Sequence, residues 1–156
     1  MIVGVKGNYL MRGYIRAVCT SKNKGERKKN VGTANVLPGL GLEGDAHAGF
    51  EHRQISLLAI ESIKKMRDKG LDVNPGDFAE NLTTEGISLA ALSVGIKLKI
   101  GDVILEVSQI GKICRQKCAI YYQAGDCVMP GEGIFAVVLN GGQVNTGDKV
   151  EVIENA

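Results

Sequence analysis

At 156 residues, the chain has the length of one domain able to bury about two thirds of the surface it exposes when unfolded. Its 44% hydrophobic and 23% charged residues are ordinary for a globular protein, and its net charge of +2 is too small to point to nucleic acid. No apolar run reaches the about 18 residues of a membrane span, and the amino terminus has no apolar stretch ending in a small-residue cleavage site. A cytoplasmic location is therefore expected. Thiols there are held reduced, so clustered cysteines point to catalysis or metal binding rather than to disulfides.

The 21 glycines against three prolines predict many tight turns and a strand-rich fold across a single domain, residues 1–156. In chain order, residues 13–20 (GYIRAVCT) alternate loosely and read as a strand, with Cys19 as a small core residue at its end. The basic run Lys22, Lys24, Arg27, Lys28 and Lys29, broken by Gly25 and Glu26, reads as a solvated loop. Residues 34–49 hold four glycines between Gly39 and Gly49 and predict a long shaped loop without a regular element. His52 to Leu58 reads as a strand, after which Leu57, Ile60, Ile63 and Met66 recur every three residues up to Gly70. That spacing predicts one amphipathic helix with a glycine stop.

Further on, Gly101-Asp102 and Gly147-Asp148 each precede an apolar run. A glycine supplies the positive φ of a turn, aspartate bonds the local backbone, and β-branched residues continue as strand. Gly76-Asp77 and Gly125-Asp126 are variants of the same corner, and Ile134 to Leu139 reads as a buried strand entering a turn at Asn140. Short strands, frequent turns and one clear helix predict a mostly β domain, a closed or partly open barrel with a few helical excursions.

Three of the four cysteines, Cys114, Cys118 and Cys127, fall within fourteen residues, among Lys112, Arg115 and Lys117. A thiol acts as its thiolate, which neighbouring cations favour. Unpaired cysteine is also among the most buried residue types, so Cys114 and Cys127 read equally well as small core residues. His47 and His52 flank a glycine turn, where imidazole serves either as base or ligand near pH 7 or as a hydrogen-bonding strut for the loop. Asp45 reads as a turn-maker, Glu80 as a group orienting the loop or a ligand, and Glu132 as solvent-facing.

Five motifs in order, Gly41-Leu-Glu-Gly-Asp45-Ala-His47-Ala-Gly49, His52-Arg-Gln-Ile-Ser-Leu-Leu58, Gly76-Asp-Phe-Ala-Glu-Asn81-Leu-Thr-Thr-Glu-Gly86, Gln109-Ile-Gly-Lys112 with the three cysteines through Pro130, and Glu132-Gly-Ile-Phe135, resemble the MOSC domain family. The name denotes the carboxy-terminal domain of molybdenum cofactor sulfurase, and the likeness is to its stand-alone bacterial members. The resemblance implies a β-rich barrel and a role in handling sulfur or the molybdenum cofactor, with a cysteine as the working group. It matches the family's shared cysteine to Cys118, as sulfur-carrying thiol or molybdenum ligand, with Cys127 second and Cys114 in the same cluster. Close relatives often carry histidine where this chain has Arg115. That departure weakens an acid/base role there, although arginine can stabilise a thiolate or bind a phosphate.

Three functions follow. The first is a sulfur carrier or sulfurtransferase working through a cysteine persulfide, fed by a donor such as a cysteine desulfurase and serving a molybdoenzyme or cofactor-biosynthesis protein, without nucleic acid or membrane. The second is a noncatalytic module binding molybdopterin. Arg53 and Asn81 rank highest as its contacts because they sit inside the motifs, with His47, Arg115 and Lys112 as further polar groups. The third is a zinc-stabilised β domain using Cys114, Cys118, Cys127 and a histidine, for which the C-x3-C spacing is a weak signal.

Overall fold

The computed structural model describes residues 11–49, 51–111 and 132–153. The strands are β1 (Arg12–Thr20), β2 (Lys29–Asn30), β3 (Thr33–Leu37), β4 (Gly41–Leu42) and β5 (Ile55–Ala59). Helix α1 (Ile60–Asp68) follows, then β6 (Leu82–Glu85), a 3-10 turn (Leu89–Ala91), β7 (Lys97–Ile100), β8 (Val103–Ile110), β9 (Ile134–Asn140), β10 (Gly142–Asn145) and β11 (Lys149–Ile153). Among the described residues, seven strands pair in the order β11-β7-β8-β9-β5-β6-β1, and β1 pairs back onto β11 to close a barrel. The predicted barrel is thus fully closed, which leaves no open edge in its wall. Strand β2 extends the pairing at the far end of β1, and β10, β3 and β4 form a small separate sheet.

Neighbours in the barrel are antiparallel except β5 and β6. Those two run parallel because α1 and the turns after it carry the chain back to the end where β5 began. Side chains alternate across the wall with a period of two. Ile15, Leu57, Leu82, Leu98, Leu105 and Ile134 fill the interior. On the outside, Leu58 and Phe135 pack with Ile60, Ile63 and Met66 of α1 and with Val73 and Phe78.

Several sequence expectations shift. Leu57 belongs to β5 and faces the interior rather than α1, because strand passes to helix with no loop and the three-residue spacing runs across the junction by coincidence. Strand β5 starts at Ile55, leaving His52 and Arg53 in the turn before it. Residues 34–49 are not wholly irregular: Val36 pairs with Leu42 and Leu37 with Gly41, and both Val36 and Leu42 are buried. Gly41 has φ +128°, and a Cβ there would lie 2.4 Å from the Gln54 carbonyl oxygen, so only glycine lets this hairpin lie against the start of β5. The corners at Gly101-Asp102 and Gly147-Asp148 lead into β8 and β11 as expected.

Candidate functional site on the outer wall of the barrel

The outward positions of β5 and β9 place Ser56 opposite Phe135. Just before β6, Asn81 ties this wall together. Its backbone N–H donates to the Ser56 carbonyl (3.0 Å), its Oδ1 accepts from the Ser56 N–H (3.0 Å), and its Nδ2 donates to the Cys19 carbonyl (3.1 Å). Fully buried, Asn81 acts as a bridge between β1 and β5 across a gap in the ladder. Glu80, also fully buried, accepts from the N–H groups of Gly76 (2.9 Å) and Phe78 (3.2 Å) and from Thr83 Oγ1 (2.8 Å). Burial pushes its carboxyl above the ordinary range, partly offset by these donors. Glu80 therefore orients the loop at residues 76–80. The loop holds Ala79 at φ 63°, a left-handed conformation that costs about 1 kcal/mol or more, and Ser56 Oγ donates to the Ala79 carbonyl (3.2 Å).

Lys28 departs from the solvated loop expected for the basic run. Lys22, Lys24, Arg27 and Lys29 are exposed, but the Lys28 side chain is fully buried. Its Nζ lies 2.8 Å from Asp45 Oδ1, 3.0 Å from Ser21 Oγ and 3.1 Å from His47 Nδ1. The backbone delivers it there: the Lys28 N–H donates to the Gly76 carbonyl (2.8 Å), and a Cβ on Gly76 (φ +94°) would sit 2.2 Å from the Lys28 carbonyl oxygen. Asp45 is the turn-maker expected, accepting from the N–H groups of Ser21 (3.0 Å) and His47 (3.1 Å), and it is also half of a buried ion pair. Burial alone would raise its pKa, but Lys28, the Ser21 N–H and Asn81 bring it below the ordinary value.

Arg53 and His52 converge on one acceptor. Gln109 Oε1 lies 3.1 Å from Arg53 Nε, which donates to it, and 2.8 Å from His52 Nε2. Arg53 also lies over the Phe135 ring, 5.5 Å from its centroid. Among the described residues its two outer nitrogens make no hydrogen bond. His52 is exposed, and its carbonyl accepts from Ser108 Oγ. His47, Arg53, Ser56, Phe78, Ala79, Asn81 and Phe135 line one cleft, so all three polar contacts predicted within the described residues come together. It encloses about 20 Å³, room for roughly one water. A larger groove of about 300 Å³ lies elsewhere, between the start of α1 and the 3-10 turn. Glu132 lines it and, instead of facing solvent, accepts from Ser62 Oγ (2.7 Å) and Lys65 Nζ (2.9 Å).

Cys114, Cys118, Cys127, Lys112, Arg115 and Lys117 lie outside the described residues. The chain leaves the described wall at Gly111, whose N–H donates to the Gly133 carbonyl (2.6 Å), so the two ends of the cysteine-bearing stretch meet beside Gln109 and Phe135. Cys19 is buried, and burial, reinforced by Glu80, pushes its thiol up to about 12, which leaves it protonated and inert near neutral pH. Among the described residues, no group of His, Cys, Asp and Glu is arranged to hold a metal ion, and no helix is long and apolar enough to cross a membrane. Sequence reasoning missed Lys28 and Phe135. Nothing in the basic run singled out Lys28, whereas Phe135 closes a motif already in view.

The barrel fold of this chain is also found in solved structures of other proteins. The YuaD protein of Bacillus subtilis superposes with a TM-score of 0.79 at 20% identity, over 94% of this chain and 98% of that one. YiiM of Escherichia coli superposes with a TM-score of 0.65 at 23% identity, over 94% and 71%. YiiM of Geobacillus stearothermophilus gives 0.68 at 19%, over 91% and 75%. These likenesses define the fold. No protein of curated function is similar enough in sequence to count as a relative. The MOSC domain model matches residues 44–151, and the chain belongs to the MOSC family, a molybdenum-cofactor-related domain.

The donors on this wall suit the phosphate end of molybdopterin, since a guanidinium and an imidazole share one cleft. A space of about 20 Å³ does not admit the pterin rings, and the described residues include no accessible soft ligand for molybdenum. The described residues thus offer donors suited to the cofactor's anionic end, in a cleft that by itself has room for neither the phosphate nor the pterin rings.

Proposed function

We propose that this chain is a sulfur carrier of molybdenum cofactor metabolism, with Cys118 as the thiol that takes up and hands on sulfane sulfur. The Cys118 thiolate attacks the outer sulfur of a donor persulfide, such as that of a cysteine desulfurase. A new S–S bond forms, the donor's S–S bond breaks, and the donor departs as a thiolate, so electrons balance without an added oxidant. The proton on the transferred sulfur stays with it. Cys127 is the second candidate thiol and Cys114 the third, while Lys112 and Arg115 are the cations that favour the thiolate. The acceptor would be a molybdoenzyme or a cofactor-biosynthesis protein, in a reducing, cytoplasmic setting.

The observation that carries this reading is Arg53, held by Gln109 and Phe135 beside His47, on the wall where the chain departs at Gly111 toward its cysteines. A fixed guanidinium there offers charge and hydrogen bonds to an anionic persulfide or to the phosphate of an acceptor. Incubating the reduced wild type, Cys118→Ala and Cys127→Ala with a sulfane-sulfur donor and weighing each intact protein tests it. A one-sulfur adduct lost only in Cys118→Ala is expected. No adduct in any form would sink the carrier reading.

The outer nitrogens of Arg53, which make no hydrogen bond among the described residues, also support a second reading, a noncatalytic molybdopterin-binding module. Arg53, His47 and Asn81, with Lys112 and Arg115, would supply its polar contacts and Cys118 the ligand for molybdenum. It predicts stoichiometric binding that is lost in Arg53→Met and Cys118→Ala, without sulfur turnover. Zinc analysis of protein purified without added metal checks the remaining reading, a zinc-stabilised fold.

A further inference from the structure

Strand β8 alternates faces up to Val107, which pairs with Ala136 in the interior, and the next outward pair is Gln109 with Phe135. Two steps along β8 thus answer one step along β9, and Ser108 is the extra residue of a β-bulge. Regular alternation would put Gln109 on the inner face with Val107. The bulge turns it outward, beside Phe135 and in one row with Ser56. There its carboxamide has a single orientation, because an Arg Nε–H can only donate and a backbone carbonyl can only accept. Its Oε1 takes the Arg53 Nε–H (3.1 Å) and the His52 Nε2–H (2.8 Å), and its Nε2 donates to the Gly111 carbonyl (2.8 Å). Ser108 Oγ grips the same turn by donating to the His52 carbonyl.

We infer that Gln109 is a positioning residue that keeps the site selective for anions: it fixes the Arg53 guanidinium with a neutral oxygen, so the charge is held in place yet left for a ligand. The inference rests on the reading of Arg53 as the contact for an anionic persulfide or phosphate. A carboxylate at this position would hold Arg53 more tightly and would also neutralise it. Among the described residues, Arg53 is held by the Gln109 oxygen and the Phe135 ring, and no carboxylate pairs with it. Arg53 is only half-buried, and its exposed part is open to an anion larger than the cleft. The same carboxamide ties the guanidinium to Gly111, the last described residue before the cysteine-bearing stretch. It thereby sets the anion contact and the point where the chain departs in one frame.

Two substitutions separate holding from charge. Gln109→Glu keeps an acceptor for Arg53 and adds a negative charge, whereas Gln109→Met removes the acceptor and adds none. Both lose the donor to Gly111, and Gln109 is half-buried near the end of β8, so neither change opens the core. Proton–nitrogen NMR of the reduced, nitrogen-labelled full chain reads the Arg53 Nε–H, with Arg53→Lys to assign the signal. It should be sharp in the wild type and in Gln109→Glu, and broadened by exchange with solvent in Gln109→Met. Inorganic phosphate titrated into the same samples should bind Gln109→Glu about tenfold more weakly than the wild type, the worth of one hydrogen bond to a charged group, and Gln109→Met less weakly than that. An unchanged Nε–H signal in Gln109→Met would overturn the positioning role. Phosphate bound by Gln109→Glu as tightly as by the wild type, or by neither, would overturn the selectivity. A missing sulfur adduct sinks the carrier reading and moves neither measurement, so the two readings fail separately.

Discussion

The inner face of the barrel wall and the part of its outer face around Asn81 are built on opposite principles. Inside, Ile15, Leu57, Leu82, Leu98, Leu105 and Ile134 make an apolar core. Outside, one residue along the same strands, Ser56 and Thr83 join Lys28, Asp45, Glu80 and Asn81 in a buried polar layer whose members bond to one another and to the loop backbones. The barrel is therefore a scaffold and not a container. Its filled interior supplies stability without direction, and its outer face uses directional bonds to hold loops 41–53 and 76–81 where His47 and Arg53 share a cleft.

The comparison predicts where each face breaks. The largest effect is expected from Asp45→Ala, which leaves the Lys28 ammonium buried without its counter-ion. A loss of about 3–5 kcal/mol by urea titration is expected, with detachment of loop 41–49 seen as faster amide exchange. Leu105→Ala on the inner face should cost about 3 kcal/mol as a cavity, yet leave sulfur uptake per folded molecule unchanged. If it altered uptake as strongly as an outer-wall change, the separation of the faces would not hold.

Thr84 is the inner face's exception. It lies two residues after Leu82, is fully buried, and its Oγ1 has no hydrogen-bond partner among the described residues. Thr84→Val replaces that hydroxyl by a methyl group of similar size and should stabilise the fold by about 1 kcal/mol in the same titration. Smaller still are two opposed trends with pH. Asp45 is held below the ordinary carboxylate value, so between the two values the unfolded state binds more protons. Its contribution is complete above the ordinary value and is lost as pH falls through the depressed one. Glu80 is pushed above the ordinary value and keeps its proton to higher pH when folded. Its contribution is present below the ordinary value and is lost as pH rises through the raised one. Stability against pH should therefore lose its acid-side fall in Asp45→Asn and its rise-side fall in Glu80→Gln.

Much of this was legible in the chain itself. Alternating apolar residues and Gly-Asp corners mark β1, β8, β9 and β11, because a pleat repeats every two residues and a turn needs glycine's φ. The family motifs brought His47, Arg53 and Asn81 into view before any coordinates. Helix α1 was legible too, but its first turn was not, since a strand and a helix joined without a loop share one continuous apolar run.

Tertiary structure alone decided which member of a basic run is buried. Lys28 is set apart from Lys29 by its backbone contact with Gly76 and its reach to Asp45, both made by residues distant in the chain. It also decided that Asn81 bridges strands, that Glu132 turns toward Ser62 and Lys65, and that Arg53 and His52 meet at Gln109, more than fifty residues on. Local sequence determines period, turn and charge, because those are properties of neighbouring residues. Partnership and protonation are set by groups that only closure of the barrel brings within 3 Å of one another, and the sequence carries no local mark of them.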